Sequence, residues 1–85
     1  MNGPSVEGGQ QLLIFRGRSR EDAHNVIQAV RDNAVVVLDT GTAEPLEAQR
    51  LVDFVCGGMD GLDGQIFRID ETTFLLAPSH AQVTV

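Results

Sequence analysis

A chain of 85 residues, 42% hydrophobic and 21% charged, fits one small globular domain and excludes a second domain or a disordered chain. Its net charge of −6 includes arginines but no lysine, so no diffuse basic field exists for a nucleic-acid backbone or an anionic lipid surface. The lone Cys56 allows no intramolecular disulfide and makes the cytoplasm the default compartment, and no apolar run reaches membrane-spanning length.

Residues 1–9, "MNGPSVEGG", read as a flexible leader or truncation scar, and 10–85 as the domain. "QQLLIF" (Gln10–Phe15) is a short apolar run of strand length ending near Gly17. In "RGRSR", Arg16, Arg18 and Arg20 form a basic turn that could hold an anion or an acidic peptide, with a solvated loop as the plainer reading. Ser19 with Asp22 three residues on marks a helix start, and Ala23, Val26, Ile27 and Val30 make one apolar stripe, with an end expected near Asn33.

"AVVVLD" (Ala34–Asp39) runs apolar without alternation, as a strand covered on both faces does, and belongs near the sheet centre. Pro45 suits the first turn of a second helix, expected from Leu46 to about Cys56. Ala48, Leu51, Val52 and Val55 supply its buried stripe, while Phe54 projects elsewhere and suggests a second buried face. Gly57 and Gly58 stand where a C-terminal cap takes positive φ, so "GGMDGLDGQ" reads as a structural joint. "QIFRI", the turn "DETT" and "FLLAP" form an antiparallel hairpin, and "AQVTV" adds an edge strand.

The expected fold is a two-layer α/β sandwich, two helices on one face of a mixed sheet of about five strands, in the order β-α-β-α-β-β(-β). Two helices cover one face only, while "VVVL" and "FLLA" are apolar on both. A second copy of the chain in a two-fold dimer is the simplest cover.

Catalytic templates fit poorly. The glycines follow a helix instead of leading into one, as a phosphate-binding loop requires, and Asp60 and Asp63 lack the spacing of a calcium loop. Cys56 reads as a buried helical thiol, because nothing in the sequence brings His24 or His80 to it as a base, and one cysteine with two dispersed histidines gives no zinc spacing. Asp39, at a strand end, has no nucleophile or second acid beside it, so no enzyme, cofactor or metal is expected. Arg50 has Glu47 and Asp53 within reach along its helix, and Arg68 with Phe74 is a pairing common at protein interfaces.

The stretch from "AVVVLD" through "AQRLVDF", Gly57, Gly64 and "QIFRI" to "FLLAP" resembles the core domain of the SepF cell-division family, over about residues 12–85. The resemblance implies a dimeric, non-enzymatic adaptor that binds the C-terminal tail of the tubulin-like GTPase FtsZ and tethers and bundles its filaments at the cytoplasmic side of the division septum. Carried over position by position, it implies partner binding at Arg68 and Phe74 and self-assembly at Gly57, to which Phe54 adds its off-stripe aromatic. Membrane contact would come through an N-terminal helix that these residues do not contain, and "GMDGLD" replaces the short β-branched and aromatic stretch usual between the family's glycines. The alternatives are a homo-oligomerisation module or a small anion-binding domain using the Arg16, Arg18 and Arg20 turn.

Overall fold

A computed structural model describes residues 5–6 and 10–83. The elements are β1 (Ser5–Val6), β2 (Gln10–Arg16), α1 (Arg20–Arg31), β3 (Val35–Asp39), α2 (Pro45–Gly61), β4 (Gln65–Arg68) and β5 (Thr73–Ala77). The sheet order is β1-β2-β3-β5-β4, with β2 and β3 parallel and the other pairs antiparallel. The mixed sheet with a single helix layer and a central β3 follows the expectation. The fifth strand differs: it is the short β1, paired with the start of β2, while Ala81–Val83 form no strand. Of the supposed leader, residues 1–4 and 7–9 lie outside the described residues.

Alternation along the strands sorts the side chains. Val36 and Leu38 of β3 and Phe74 and Leu76 of β5 face the helices, where they meet Ala23, Val26 and Val30 of α1 and Leu51, Val55 and Met59 of α2. On the helix-free face, Val35, Ala77 and Ala81 form a smaller cluster with Leu12, Leu75 and Val83 packed against it. The Gln65 side-chain amide donates to the Pro78 and Ala81 carbonyls at 2.9 Å each, which folds the C-terminal segment over this face. Of "AQVTV", Ala81–Val83 therefore cap the sheet through Ala81 instead of extending it as an edge strand, and residues 84–85 lie outside the described residues. The cover is partial, since Ile14 remains 72% exposed.

Both helices end by the same device. Asn33 (φ 78°) follows α1, and the Ala34 amide donates to the Ala29 carbonyl; Asp63 (φ 57°) follows α2, and the Gly64 amide donates to Met59. This corrects the expected end of α2. Gly57 and Gly58 are not its cap; the helix runs through both to Gly61, because Met59 continues the buried row of Leu51 and Val55 for another turn. Gly58 is there for proximity: a Cβ on it would lie 2.5 Å from Ile27 Cδ1, so the Ile27 side chain of α1 packs directly against the α2 backbone at this position. Gly64 is confined in the same way by Met59 and the Ala77 carbonyl.

The two adjacent glycines should respond oppositely to alanine. Gly57 has open space around its Cβ position, so Gly57→Ala should stabilise the isolated protomer by about 0.5–1 kcal/mol through helix propensity. Gly58→Ala must displace Ile27 and should lose that gain, destabilising by about 1–3 kcal/mol. Urea unfolding of both variants at low protein concentration measures the difference, and equal effects would refute the close-packed reading of Gly58.

Candidate functional site

The hairpin between β4 and β5 is tied by its own polar groups. The Ile69 amide donates to the Thr73 carbonyl at 2.9 Å, and the Thr72 amide donates to Asp70 Oδ1 at 2.9 Å, closing a tight acidic turn. Arg68 then reaches along the turn, with Nε donating to the Asp70 carbonyl and Nη2 to the Glu71 carbonyl, both at 3.2 Å. Its guanidinium carbon sits 5.6 Å from the centre of the Phe74 ring, a cation over an aromatic face. Thr40, buried at the end of β3, donates its hydroxyl to the Thr72 carbonyl and docks the turn on the central strand.

Beside this assembly lies a pocket of about 220 Å³, bounded on one side by Ala48, Gln49 and Val52 of α2 and on the other by Arg68, Glu71 and Phe74. The structure therefore brings the two sequence-predicted partner-binding residues together. It also places Phe74 in the core cluster at 9% exposure, so its ring forms the floor of the pocket and supports the fold at the same time. Ala48 and Val52 belonged to the expected buried stripe of α2. They are half-buried flank residues and form the pocket's far wall, a role that periodicity alone does not separate from core.

The residues expected to serve self-assembly occupy a different part of α2. Phe54, 37% exposed, meets His24 of α1 edge-on at 4.7 Å between ring centres, and Gly57 lies one turn further along the exposed helix surface. Nearby, Arg50 pairs with Glu47 at 3.7 Å, but Asp53 accepts from Gln49 and not from Arg50. Both partners of the ion pair are exposed, so it contributes about a few tenths of a kcal/mol. Cys56 is exposed, a correction to its expected burial: the buried row of α2 is Leu51, Val55 and Met59, and Cys56 falls one residue past it.

The other candidates have local structural partners. Asp39 Oδ1 accepts the Gly41 amide at 2.8 Å and shapes the turn after β3. In the basic turn, the Arg18 and Ser19 amides at the start of α1 already donate to the Asp22 carboxylate, and Arg20 shares an open cleft with Glu47, Arg50 and Asp53. Among the described residues, no group of His, Cys, Asp and Glu could hold a metal ion, and no helix is long and apolar enough to cross a membrane.

These elements define a small two-layer α/β domain whose polar and aromatic groups converge on a groove between a helix and a hairpin. The family model described as "Cell division protein SepF" matches residues 13–83. A protein named Cell division protein SepF from Synechococcus elongatus is 38% identical over 81 residues, 95% of this chain and 42% of its own length. Another of the same name from Trichormus variabilis is 41% identical over 80 residues, 94% of this chain and 40% of its own. The chain belongs to the SepF family, a family of cell-division proteins and not of enzymes, and spans about two fifths of the length of these curated relatives. Among solved structures, a SepF-like protein from Archaeoglobus fulgidus superposes with a TM-score of 0.77 at 14% identity, covering 87% of this chain and 92% of that one. One from Pyrococcus furiosus gives 0.76 at 11% identity, covering 98% and 100%. At such low identity they show that the fold is shared.

The hairpin turn carries a pH dependence. The Thr72 amide, then the Thr73 side chain, hold the Asp70 carboxyl below its usual aspartate pKa. A carboxylate with a lowered folded-state pKa adds stability above the unfolded value, and that contribution is lost as pH falls through the folded pKa. Carboxyl NMR titration should find Asp70 ionised below the ordinary aspartate range, with hairpin exchange protection declining in the same acid window. Asp70→Asn should remove that decline, and an unshifted Asp70 would contradict the turn geometry.

Proposed function

We propose that this chain is the core of a non-enzymatic division adaptor, which binds the C-terminal tail of FtsZ and, as a homodimer, tethers and bundles FtsZ filaments at the cytoplasmic side of the division septum. The observation that carries this reading is the groove between α2 and the β4–β5 hairpin, where a preset guanidinium lies over an aromatic floor. Family membership supplies the cell-division context. An acidic tail would offer a carboxylate to the outer donors of Arg68 and apolar side chains to Val52 and the edge of Phe74. Catalysis plays no part in this function, and no cofactor is needed.

Self-association is supported by the apolar surface left on the helix-free face, where Ile14 is 72% exposed beside half-buried Leu12, Val37 and Leu75. A two-fold copy placed there would complete the cover that Ala81 and Val83 begin. Phe54 and Gly57, on the opposite layer, offer a separate contact by which dimers could extend further. The anion-binding alternative has less support, because Asp22 takes the amides of the basic turn and acidic residues stand beside Arg20 and Arg50.

Fluorescence anisotropy of a labelled FtsZ tail peptide, titrated with the purified chain, tests the adaptor reading. Saturable binding is expected, weakened roughly tenfold by Arg68→Ala, which removes charge-assisted hydrogen bonds. Phe74→Ala should behave differently from a simple contact residue, lowering stability by about 3 kcal/mol as well as affinity, since its ring is core. Light scattering on the same samples should give the mass of two copies, reduced to one by Ile14→Asp. A folded chain that ignores the tail peptide would leave self-association as its function.

A further inference from the structure

Beside the groove runs an open sheet edge. β4 ends the strand order, so one side of it pairs with β5 and the other is free among the described residues. The bond from the Ile69 amide to the Thr73 carbonyl sets the phase of this ladder. Hydrogen-bonded pairs alternate in an antiparallel ladder, so Phe67–Leu75 and Gln65–Ala77 are the bonded pairs. The main-chain N–H and C=O groups of Ile66 and Arg68 therefore point away from β5, two residues apart, the spacing at which an added strand binds.

The side chains of the same two residues turn towards the helix layer, because Ile66 pairs in register with Leu76 and Arg68 with Phe74, both core residues. Ile66 is 37% exposed. The guanidinium of Arg68 is folded back onto the Asp70 and Glu71 carbonyls and leaves the strand edge clear. On the helix side, Ala48 and Val52 of α2 face Arg68, at the hairpin end of this edge, across the pocket. A helix flank above a free strand edge is a slot for an extended segment.

We propose that the partner segment docks by strand addition to the free edge of β4, with its main chain bonded to Ile66 and Arg68 and its alternate side chains directed into the slot beside α2. This rests on the adaptor reading and specifies how its groove works. Cross-strand neighbours share a face, so the ligand needs an apolar side chain beside Ile66 and, two positions along, a carboxylate beside Arg68. Charge favours an acidic peptide over a second copy of the chain at this edge. Pairing β4 with itself in antiparallel register would set Arg68 against Ile66 or another Arg68, whereas an acidic segment sets a carboxylate beside it.

The test follows amide hydrogen exchange of the full chain by NMR, with and without saturating FtsZ tail peptide, beside affinities for peptides N-methylated at one position at a time. Expected are about tenfold or greater slowing at Ile66 and Arg68, with Phe67 already protected by β5, and losses of about tenfold at alternate N-methyl positions only. Ile66→Pro removes an outward N–H that β5 does not use and should weaken binding while keeping the circular dichroism of the fold; if it unfolds, the N-methyl series still decides. Binding that depends on Arg68 but leaves both amides fast and tolerates every N-methyl group would overturn strand addition and leave the adaptor reading intact. Absence of tail binding to the folded chain would overturn both. Slowing at Ile66 and Arg68 that rises with chain concentration without peptide would assign the edge to a second copy and overturn the proposal.

Discussion

The contact of α2 with α1 at Gly58 governs the geometry of this domain. Two helices must lie side by side in one layer over a narrow sheet, and the Ile27 side chain fills the space that any larger residue at position 58 would need. That approach allows Leu51, Val55 and Met59 to share a core with Val26 and Val30, all nearly inaccessible to solvent. A small domain has little apolar area to spare, so a separation of the helices by even a methyl group would be felt in stability. The same seating sets where the rest of α2 lies: Ala48 and Val52 beside β4, and Phe54 and Gly57 on the outer surface.

Three surfaces are thereby kept apart on one small body. The groove between α2 and the hairpin, the outer face of α2, and the helix-free side of the sheet each present different chemistry, respectively a cation with an aromatic floor, an aromatic pair with a bare helix surface, and aliphatic side chains. Occupying one need not block another, which is what an adaptor that both binds a tail and self-associates requires. The acidic balance of the chain fits the same picture. Its cations are few, and Arg68 stands out because its guanidinium is held by backbone carbonyls and a ring, not by a carboxylate.

Much of the fold was legible because the signals were local and mutually consistent. The Ser19 to Asp22 spacing marked the start of α1, Pro45 that of α2, and the unbroken aliphatic run of β3 its central position. The end of α2 was not, because glycine has two structural uses. Paired glycines after an apolar stripe resemble a cap by composition, whereas Gly58 is small for the sake of Ile27, a contact between helices that no local window contains. The visible clue was Met59, which continues the row of Leu51 and Val55 beyond the glycines. Cys56 was misplaced with the same boundary. The C-terminal residues misled differently, since "AQVTV" has strand composition but Gln65 draws Ala81 across the sheet face. At the site, the pairing of Arg68 with Phe74 was readable from their places on either side of the hairpin turn, while the wall contributed by Ala48 and Val52 depends on how α2 sits over β4.

On the proposed adaptor reading, Arg68 joins stability and recognition in a way that shapes the groove's mechanics. Its bonds to the Asp70 and Glu71 carbonyls fix the guanidinium before any ligand arrives, and the turn it clamps is itself closed by Asp70 on Thr72 and docked by Thr40. A long flexible side chain loses substantial rotamer entropy when it is ordered by a ligand, and here the fold has already ordered it. The cation is presented with its outer donors free and its rear occupied, so a ligand adds bonds without displacing internal ones. The consequence is directional. Substitutions that loosen the acidic turn should weaken recognition through Arg68 without touching the ligand, whereas changes on the α2 flank should act through the shape of the slot alone.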